Sequence, residues 1–263
     1  MRFLKVLLVL LIVVAALGAG AVVGVRASRS RVSELGEVHP GLVGVTNAVG
    51  ISLFAARLAP GPHVILFDTG LDPEGRPVDA LLGALGAGRA DVSDIFLTNG
   101  HADHVSGVPA LPKARVHLGA ADVPVATGKQ PAEALLPMLM GKALQTAPIA
   151  VSAPIPAAGP IPVDGAAGAK TVKAFPVPGH TPGSFVFLYD GVLIAGDIMV
   201  YKQGRLEPPP RVFDPNPDQN KAAIRSLKQQ LADETVEVVC TAHGGCTPKG
   251  LGRNLLDDLI TRI

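Results

Sequence analysis

The chain has 263 residues, of which 48% are hydrophobic and only 4% aromatic, and it contains no tryptophan. Its formal net charge is +1 and it has no block of basic residues, which excludes the electrostatic footprint of a nucleic-acid-binding protein. This length and composition indicate one large or two small globular domains with an aliphatic core.

The chain opens with an uncharged apolar segment, residues 6–25, that follows Arg2 and Lys5. As a helix this segment would span about 30 Å, which is the thickness of the hydrocarbon layer of a bilayer. A retained signal anchor and a cleaved signal peptide both fit, and the length favours the anchor. We therefore expect residues 1–27 to be a signal anchor or signal peptide. Residues 28–263 would then form a domain that is membrane-anchored on the extracytoplasmic side, or exported.

Short apolar runs alternate with amphipathic helical patterns from Gly41 onward, which predicts an α/β layered fold. The predicted strands cover residues 64–67, 94–98, 114–118, 171–177, 185–189, 192–195 and 236–240. The predicted helices lie near residues 78–85, 216–234 and 251–259. Asp190-Gly191 indicates a two-residue hairpin turn. Asp214 or Asn216 is expected to cap the second helix.

Residues 121–170 depart from this alternation. The strongly apolar stretch Leu135–Met140 is followed by a segment rich in alanine, proline and glycine that runs to Gly168. A lid or insertion beside a functional site and a plain connector both fit this composition.

The residues that can carry chemistry follow the ends of predicted strands. The sequence reads Thr-Asn-Gly-His-Ala-Asp-His at 98–104, Pro-Gly-His-Thr-Pro-Gly-Ser at 178–184, Ala-Gly-Asp at 195–197 and Thr-Ala-His-Gly-Gly at 241–245. Side chains at strand ends converge on one edge of a sheet. Imidazole and carboxylate groups together suit zinc, with iron or manganese possible. Such an ion lowers the pKa of bound water to about 7 and so supplies hydroxide near neutral pH.

This ordered set of motifs resembles the metallo-β-lactamase superfamily, whose first motif runs His-x-His-x-Asp-His. The resemblance covers most of residues 41–263 and includes an Asp-Thr-Gly turn at 68–70. It implies a four-layer αββα sandwich with metal ions at the edge between the two halves. The motif at 180–184 is similar to that of glyoxalase II and lactonase-type hydrolases.

The resemblance also implies a division of the metal ligands. It assigns His101 and His180 to a first metal site. It assigns a second site to Asp103, His104 and His243, with Asp197 in the bridging position.

Asn99 stands where the family pattern has its first histidine. An amide oxygen can coordinate a divalent ion but is a weaker zinc ligand than imidazole, so Asn99 is a doubtful ligand. We therefore expect the second metal site to fill first and the first site to be weak or empty.

Several other residues are expected to support the fold. Three histidines outside the motifs are expected to have surface or core roles: His39, His63 and His117. Asp68 is expected to hold loop backbone or orient a metal-binding histidine. Ser184 could contact substrate or simply begin a strand. Cys240 and Cys246 flank His243 and could form a disulfide, bind metal or remain small apolar residues, and we favour the last interpretation.

The expected function is hydrolysis of a small molecule by metal-bound hydroxide at an ester, thioester, lactone or amide carbonyl, β-lactams included. Asp103 would assist proton transfer, and the apolar stretch at 135–140 suggests a hydrophobic substrate. The alternative is a catalytically impaired metal-binding scaffold at the membrane, which Asn99 supports. Retention of the six other ligands favours the enzyme. The sequence gives no indication of oligomeric state.

Overall fold

The computed structural model describes residues 18, 20–58, 61–163 and 171–263. Most of the apolar N-terminal segment, residues 6–17 and 19, lies outside the described residues. Its described end belongs to a helix, α1, at residues 20–28. Within the described part of the chain, no helix combines the length and the apolarity needed to cross a membrane.

Seven described strands form the first sheet in the order in which they occur along the chain. They are β1 (Val32–His39), β2 (Leu42–Asn47), β3 (Ser52–Arg57), β4 (Val64–Phe67), β5 (Val92–Leu97), β6 (Arg115–Gly119) and β7 (Ala153–Ile155). Strands β1 to β4 pair antiparallel, whereas β5, β6 and β7 are added in parallel. Strands β1 to β3 extend the sheet beyond the strands that the sequence predicted.

The second sheet has the described order β15-β14-β11-β10-β9-β8, beside a two-stranded ribbon of β12 and β13. Its strands are β8 (Gly159–Pro162), β9 (Thr171–Pro176), β10 (Phe185–Tyr189), β11 (Val192–Gly196), β14 (Val238–Thr241) and β15 (Gly245–Cys246), and the ribbon is β12 (Val200–Lys202) with β13 (Arg205–Glu207). The turn at Asp190-Gly191 has positive φ angles of 49° and 81°. This matches the left-handed geometry of a tight hairpin and confirms that prediction.

The helices after α1 are α2 (Arg76–Ala84), α3 (Ala102–Val105), α4 (Val123–Ala126), α5 (Leu135–Leu144), α6 (Pro217–Gln230) and α7 (Gly252–Arg262). Asn216 occupies the N-cap position of α6, but its side chain makes no capping hydrogen bond. Asp214 instead accepts a hydrogen bond from the side chain of Asn220 at 3.1 Å. The predicted N-cap position is therefore confirmed at Asn216, whereas a capping hydrogen bond from its side chain is absent.

Residues 121–170 contain the described elements α4, α5, β7 and β8, so that much of this stretch is ordered structure. Part of its alanine- and glycine-rich segment, residues 164–170, lies outside the described residues. The described part supplies an edge strand to each sheet. Helix α5 lies beside α3, the short helix that follows β5.

Three apolar clusters of described residues separate four layers. The middle cluster joins the inner faces of the two sheets, with Phe67 and Phe96 from the first sheet packed against Phe187 from the second. An outer cluster packs α2 on the first sheet through Leu81. Another packs α6 and α7 on the second sheet through residues such as Ile224. This arrangement confirms the predicted αββα sandwich.

Backbone hydrogen bonds join the two sheets at one edge. Phe185 at the start of β10 donates its N–H to Thr98 at the end of β5, at 2.9 Å. Ser52 at the start of β3 donates to Ala242 beyond β14, at 2.8 Å. The loops that leave β5 and β14 are therefore held at the same end of the sandwich.

Candidate metal site

The six histidines and aspartates singled out by sequence lie together at this edge. His101 precedes α3, whereas Asp103 and His104 lie within its single turn. The other three follow strands of the second sheet: His180 after β9, Asp197 after β11 and His243 after β14. Each half of the sandwich therefore contributes three of these six side chains.

Four side chains form one compact group: Asp103, His104, Asp197 and His243. The Nε2 atom of His104 lies 2.8 Å from Oδ2 of Asp197. The Nε2 atom of His243 lies 3.1 Å from Oδ2 of Asp103 and 3.5 Å from Oδ1 of Asp197. The ligand atoms face one another within 4.8 Å, a spacing that could hold a metal ion. We call these four residues the second group.

His101, His180 and Asp197 form another possible metal-binding set, the first group, which shares Asp197 with the second. Nε2 of His180 lies 3.3 Å from Nδ1 of His101 and 3.3 Å from Oδ2 of Asp197. One carboxylate thus lies between the two sets of ligands.

The side chain of Asn99 is buried beside the first group, and its oxygen is engaged by the backbone. That oxygen accepts the backbone N–H of His101 at 2.9 Å. The amide nitrogen of Asn99 donates to Oδ2 of Asp197 at 3.3 Å. The amide therefore presents a hydrogen-bond donor where a ligand would need to present a lone pair.

Asp68 fixes the orientation of His104. Its carboxylate faces Nδ1 of His104 at 2.9 Å and accepts the N–H and the hydroxyl of Thr98, each at 2.8 Å. A carboxylate on Nδ1 sets the tautomer in which Nε2 offers its lone pair to a metal. This contact confirms the expected supporting role of Asp68.

Asp122, which the motifs did not single out, ties the loop before α3 to the loop that carries His180. Its buried carboxylate accepts the N–H of Gly100 at 2.8 Å and the N–H of Gly183 and hydroxyl of Thr181, each at 2.7 Å. Burial raises the pKa of Asp122 above its ordinary value, against these hydrogen bonds. Its position just after β6, at the same sheet edge as the predicted ligands, is the signal that could have identified it.

The loop before His180 is pressed against the start of α6. Gly179 has φ of 151°, and a Cβ there would lie 2.4 Å from the Cα of Asn220. The side chain of Asn220 in turn donates to the carbonyl of Ile198 at 3.1 Å, beside Asp197. A glycine is therefore required at 179, both for its backbone angle and for the space.

Cys240 and Cys246 form a disulfide across β14 and β15. The interpretation of these cysteines as unpaired small apolar residues is therefore wrong. Their sequence separation of 6 encloses His243 in a short closed loop.

Without a metal, the histidines of the second group are the side chains that can balance the negative charge of its carboxylates. Burial disfavours the charged form of His104, but Asp68, Asp197 and Asp103 outweigh it and raise the pKa well above its ordinary value. Burial also opposes ionisation of Asp197, yet His104 and His243 lower its pKa. In the first group, burial and then the charge of His180 lower the pKa of His101 to about 4. The second group therefore attracts positive charge, and the first holds a neutral imidazole suited to ligation.

The residues present fit a divalent metal ion. Oδ1 of Asp197, the carboxylate shared by the two groups, is buried without a hydrogen-bond partner. Buried polar atoms are costly unless they are paired or coordinate a metal. Imidazole nitrogen and carboxylate oxygen together make a donor set for such an ion.

The remaining predicted residues lie outside the ligand groups. Among the three histidines expected to have other roles, His117 faces Asp94 at 2.8 Å, His39 faces Glu237 at 3.4 Å and His63 joins neither group. The hydroxyl of Ser184 is buried against Thr181 at 2.6 Å, directly before β10. Ser184 therefore lies one residue before the strand that it was expected to begin, and it is not among the residues that line the cavity described below.

A sequence profile of the metallo-beta-lactamase superfamily matches residues 57–243. The match covers most of the chain and all six candidate ligands. The chain therefore belongs to the metallo-β-lactamase superfamily. A comparison with curated protein sequences returned no significant match.

Solved structures share this fold at low sequence identity. A subclass B3 metallo-β-lactamase of Bradyrhizobium japonicum is 19% identical, with a TM-score of 0.62 over 90% of this chain and 95% of that one. A Cronobacter sakazakii metallo-β-lactamase with a HARLDQ motif is 21% identical, with a TM-score of 0.60 over 82% and 80%. A metallo-β-lactamase family protein of Thermus thermophilus is 22% identical, with a TM-score of 0.59 over 86% and 80%. These similarities show the fold, and the substrate has to be inferred from the site.

Proposed function

We propose that the chain is a metal-dependent hydrolase, with zinc as the preferred ion, that cleaves a small ester, thioester, lactone or amide, including a β-lactam. The observation that carries the proposal is the convergence of two overlapping ligand groups on one cavity. His101, Asp103, His180, Asp197 and His243 all line that cavity. A reacting carbonyl and the candidate ligands would therefore share one space.

Each side chain then has a separate task. His104, His243, Asp103 and Asp197 would hold one ion, and His101 and His180 would hold a second more weakly with Asp197. A divalent ion bound there supplies a nucleophile from water near neutral pH and polarises the carbonyl. Asp68 keeps His104 in the ligating tautomer.

Hydrolysis adds the oxygen of water to the carbonyl carbon and breaks the bond to the leaving oxygen, sulfur or nitrogen. One proton of the water must reach the leaving atom. The carboxylate of Asp103 lines the cavity, and one of its oxygens, Oδ2, is already engaged by His243. Oδ1 of Asp103 can accept the proton and return it to the leaving atom.

The test uses the full-length chain supplied with zinc, its metal content, and a panel of ester, thioester, lactone and β-lactam substrates. We expect bound metal and turnover of at least one substrate class. Asp103→Asn should lower kcat by about a hundredfold or more, whereas Asp79→Asn, at an exposed ion pair with Arg89, should not. No bound metal and no turnover in metal-supplemented buffer would refute the proposal.

The second candidate is a catalytically impaired metal-binding scaffold at the membrane. The observation that favours it is Asn99, whose oxygen is occupied by the N–H of His101. Metal binding without turnover of any panel member would support the scaffold over the hydrolase.

The extracytoplasmic location remains part of the proposal. Its support is the Cys240–Cys246 disulfide, since such bonds persist in oxidising compartments. Protease accessibility in intact cells, with and without permeabilisation, tests this location.

A further inference from the structure

Five of the six candidate ligands form the floor of a cavity of about 410 Å³. This volume is in the range that holds a small organic ligand. Its walls are apolar and come from several parts of the chain, including Val25, Ile51, Leu71, Met140, Leu144 and Phe213. A substrate whose carbonyl reaches the floor must therefore bury its remaining atoms against hydrocarbon.

Among the described residues that line this cavity, none is lysine or arginine. Two arginines in and just after α1 have other partners, since Arg26 donates to the carbonyl of Ala143 at 2.9 Å and Arg29 lies 3.8 Å from Asp72. Lys142 lines an adjoining depression, which shares His101, Ala102 and Pro137 with this cavity, but it is not among the residues that line the cavity itself. An anionic group away from the reacting carbonyl would thus be buried without a cationic partner.

Two helices define the wall that a substrate tail would contact. Val25 lies on α1, and Met140 and Leu144 lie on α5. The hydrogen bond from Arg26 to Ala143 holds α1 against the end of α5. An unbranched methionine adapts its shape to a flexible chain, which suits an aliphatic tail better than a rigid ring.

We propose that the substrate is a neutral ester or lactone with an aliphatic tail, and that this tail packs between α1 and α5. A compound whose tail carries a carboxylate does not bind in this cavity. This inference rests on the proposed hydrolase function. Water adds to the acyl carbon, the ester C–O bond breaks, and the alcohol leaves with the proton that Asp103 carries.

The kinetic test compares nitrophenyl acetate, butyrate and octanoate with an ester of the octanoate length that ends in a carboxylate. It uses the zinc-loaded full-length chain in lipid nanodiscs, so that detergent does not fill the cavity. Each buried methylene should raise kcat/KM by up to about fourfold. The terminal carboxylate should lower it by about a hundredfold relative to octanoate. Equal turnover of the charged and neutral esters would overturn the inference.

A binding test keeps the inference separate from the proposed function. Titration calorimetry compares octanamide with the same amide bearing a terminal carboxylate. Octanamide should bind at least tenfold more tightly, whether or not the chain turns over any ester. Loss of all turnover with this preference intact would refute the hydrolase but leave the pocket assignment standing. Turnover without this binding preference would support the hydrolase but refute the pocket assignment.

Matched substitutions locate the chain-binding wall. Val25→Lys and Met140→Lys should each lower the octanoate-to-acetate ratio by about tenfold and raise relative turnover of the carboxylate ester. The controls introduce the same charge on the same helices at exposed positions, Val23→Lys (65% exposed) and Leu139→Lys (49% exposed), and should leave the ratio unchanged. Lys142→Ala should also leave the discrimination unchanged. If the lining variants match their controls, α1 and α5 do not form the wall.

Discussion

Asn99 shows how one side chain can redistribute metal affinity across a shared site. Its oxygen is committed to the N–H of His101, and its nitrogen donates to Asp197, the carboxylate common to both ligand groups. Rotating the amide to offer its oxygen to an ion would break the first bond. The first group is thereby left with two histidines and a shared carboxylate, whereas the second keeps four ligands.

We predict that replacing Asn99 with histidine raises the metal content from about one to about two ions per chain. The added imidazole completes the first group, and the second group is unchanged. Elemental analysis after zinc loading and dialysis measures this ratio. A wild-type chain that already holds two ions, with no change in the variant, would contradict our account of Asn99.

We predict that Asp68→Asn weakens zinc binding by about 10- to 100-fold, because the amide no longer fixes His104 as the carboxylate does. Competition with a chromophoric chelator measures the affinity. Asp79→Asn is the matched control, since it removes a carboxylate that contacts only the exposed Arg89 side chain. Equal affinity in Asp68→Asn and wild type would show that His104 keeps its orientation without this contact.

Most of the site could be predicted at the residue scale because motif histidines and aspartates recur in a fixed order along the chain. Asp122 was missed, because two of its three partners are the backbone N–H groups of Gly100 and Gly183, and only its position just after β6 pointed to it. The pairing of Cys240 with Cys246 also escaped prediction. It depends on β14 and β15 placing those residues opposite each other.

At the scale of elements, the short loop between β14 and β15 is closed twice, by strand pairing and by the disulfide. Thr241 adds hydrogen bonds from its hydroxyl to the carbonyls of His243 and Gly245, each at 3.1 Å. The loop therefore presents His243 from a restrained backbone.

We predict that the double variant Cys240→Ala/Cys246→Ala lowers the free energy of unfolding by about 2 kcal/mol, since the closed loop is short. Affinity for the ion held by the second group should fall as well, because His243 gains freedom. Urea unfolding and chelator competition measure the two effects. Wild type treated with reductant separates the covalent link from the change of side chain. Unaltered stability in both would contradict this role for the disulfide.

The neighbouring strands β5 and β6 place the buried carboxylate of Asp94 beside His117 and the partly exposed Arg115, none of which belongs to either ligand group. Asp94 accepts hydrogen bonds from Arg115 at 2.7 Å and from His117 at 2.8 Å. Burial acts to raise the pKa of Asp94, but His117 and Arg115 outweigh it and lower the pKa below its ordinary value. The folded chain therefore releases this proton more readily than the unfolded chain does.

We predict that Asp94→Asn destabilises the fold by about 1–3 kcal/mol at neutral pH and by less in acid. The native contribution of Asp94 is fully present above its ordinary pKa, near 4, and is lost as the pH falls towards the lower folded value. Urea unfolding of both proteins at pH 7 and pH 3 tests this, because titration of the metal-site groups is common to the two. A stability difference independent of pH would refute it.

The apolar runs predicted the central strands well because they are buried on both faces, as at residues 64–67 and 95–97. These runs did not predict β1, whose burial pattern is mostly exposed, or the side-chain partner of Asp214. Such features depend on pairing with distant chain, which local sequence does not encode.

At the scale of the whole molecule, the described end of the N-terminal segment packs on the half of the sandwich that contains the first sheet. Val22 and Val25 of α1 pack against the outer core of the first sheet, and Asn47 donates to the carbonyl of Arg29 at 2.9 Å. A leader that continued into the fold in this way would shape the cavity as well as direct the chain to its location.

We predict that deletion of residues 1–27 leaves metal content unchanged but lowers turnover of an octanoyl ester about tenfold, with little effect on acetate. The deletion removes Val25 from the wall and the bond from Arg26 to α5. Parallel kinetics and elemental analysis measure both quantities. If acetate and octanoate turnover fall together, α1 supports the fold rather than the wall. If neither falls, α1 contributes nothing to binding.

The even division of the six ligand side chains between the two sheets has a mechanical consequence. The first sheet, residues 32–155, supplies His101, Asp103 and His104, and the second sheet supplies the other three. An ion bound by side chains of both sets would link the two halves of the chain. Its binding free energy would then stabilise the folded state against separation of the two sheets. The metal site would then also be a point at which the two halves of the molecule are joined. Substitutions that loosen the ion are therefore expected to let the halves part at lower force and lower temperature.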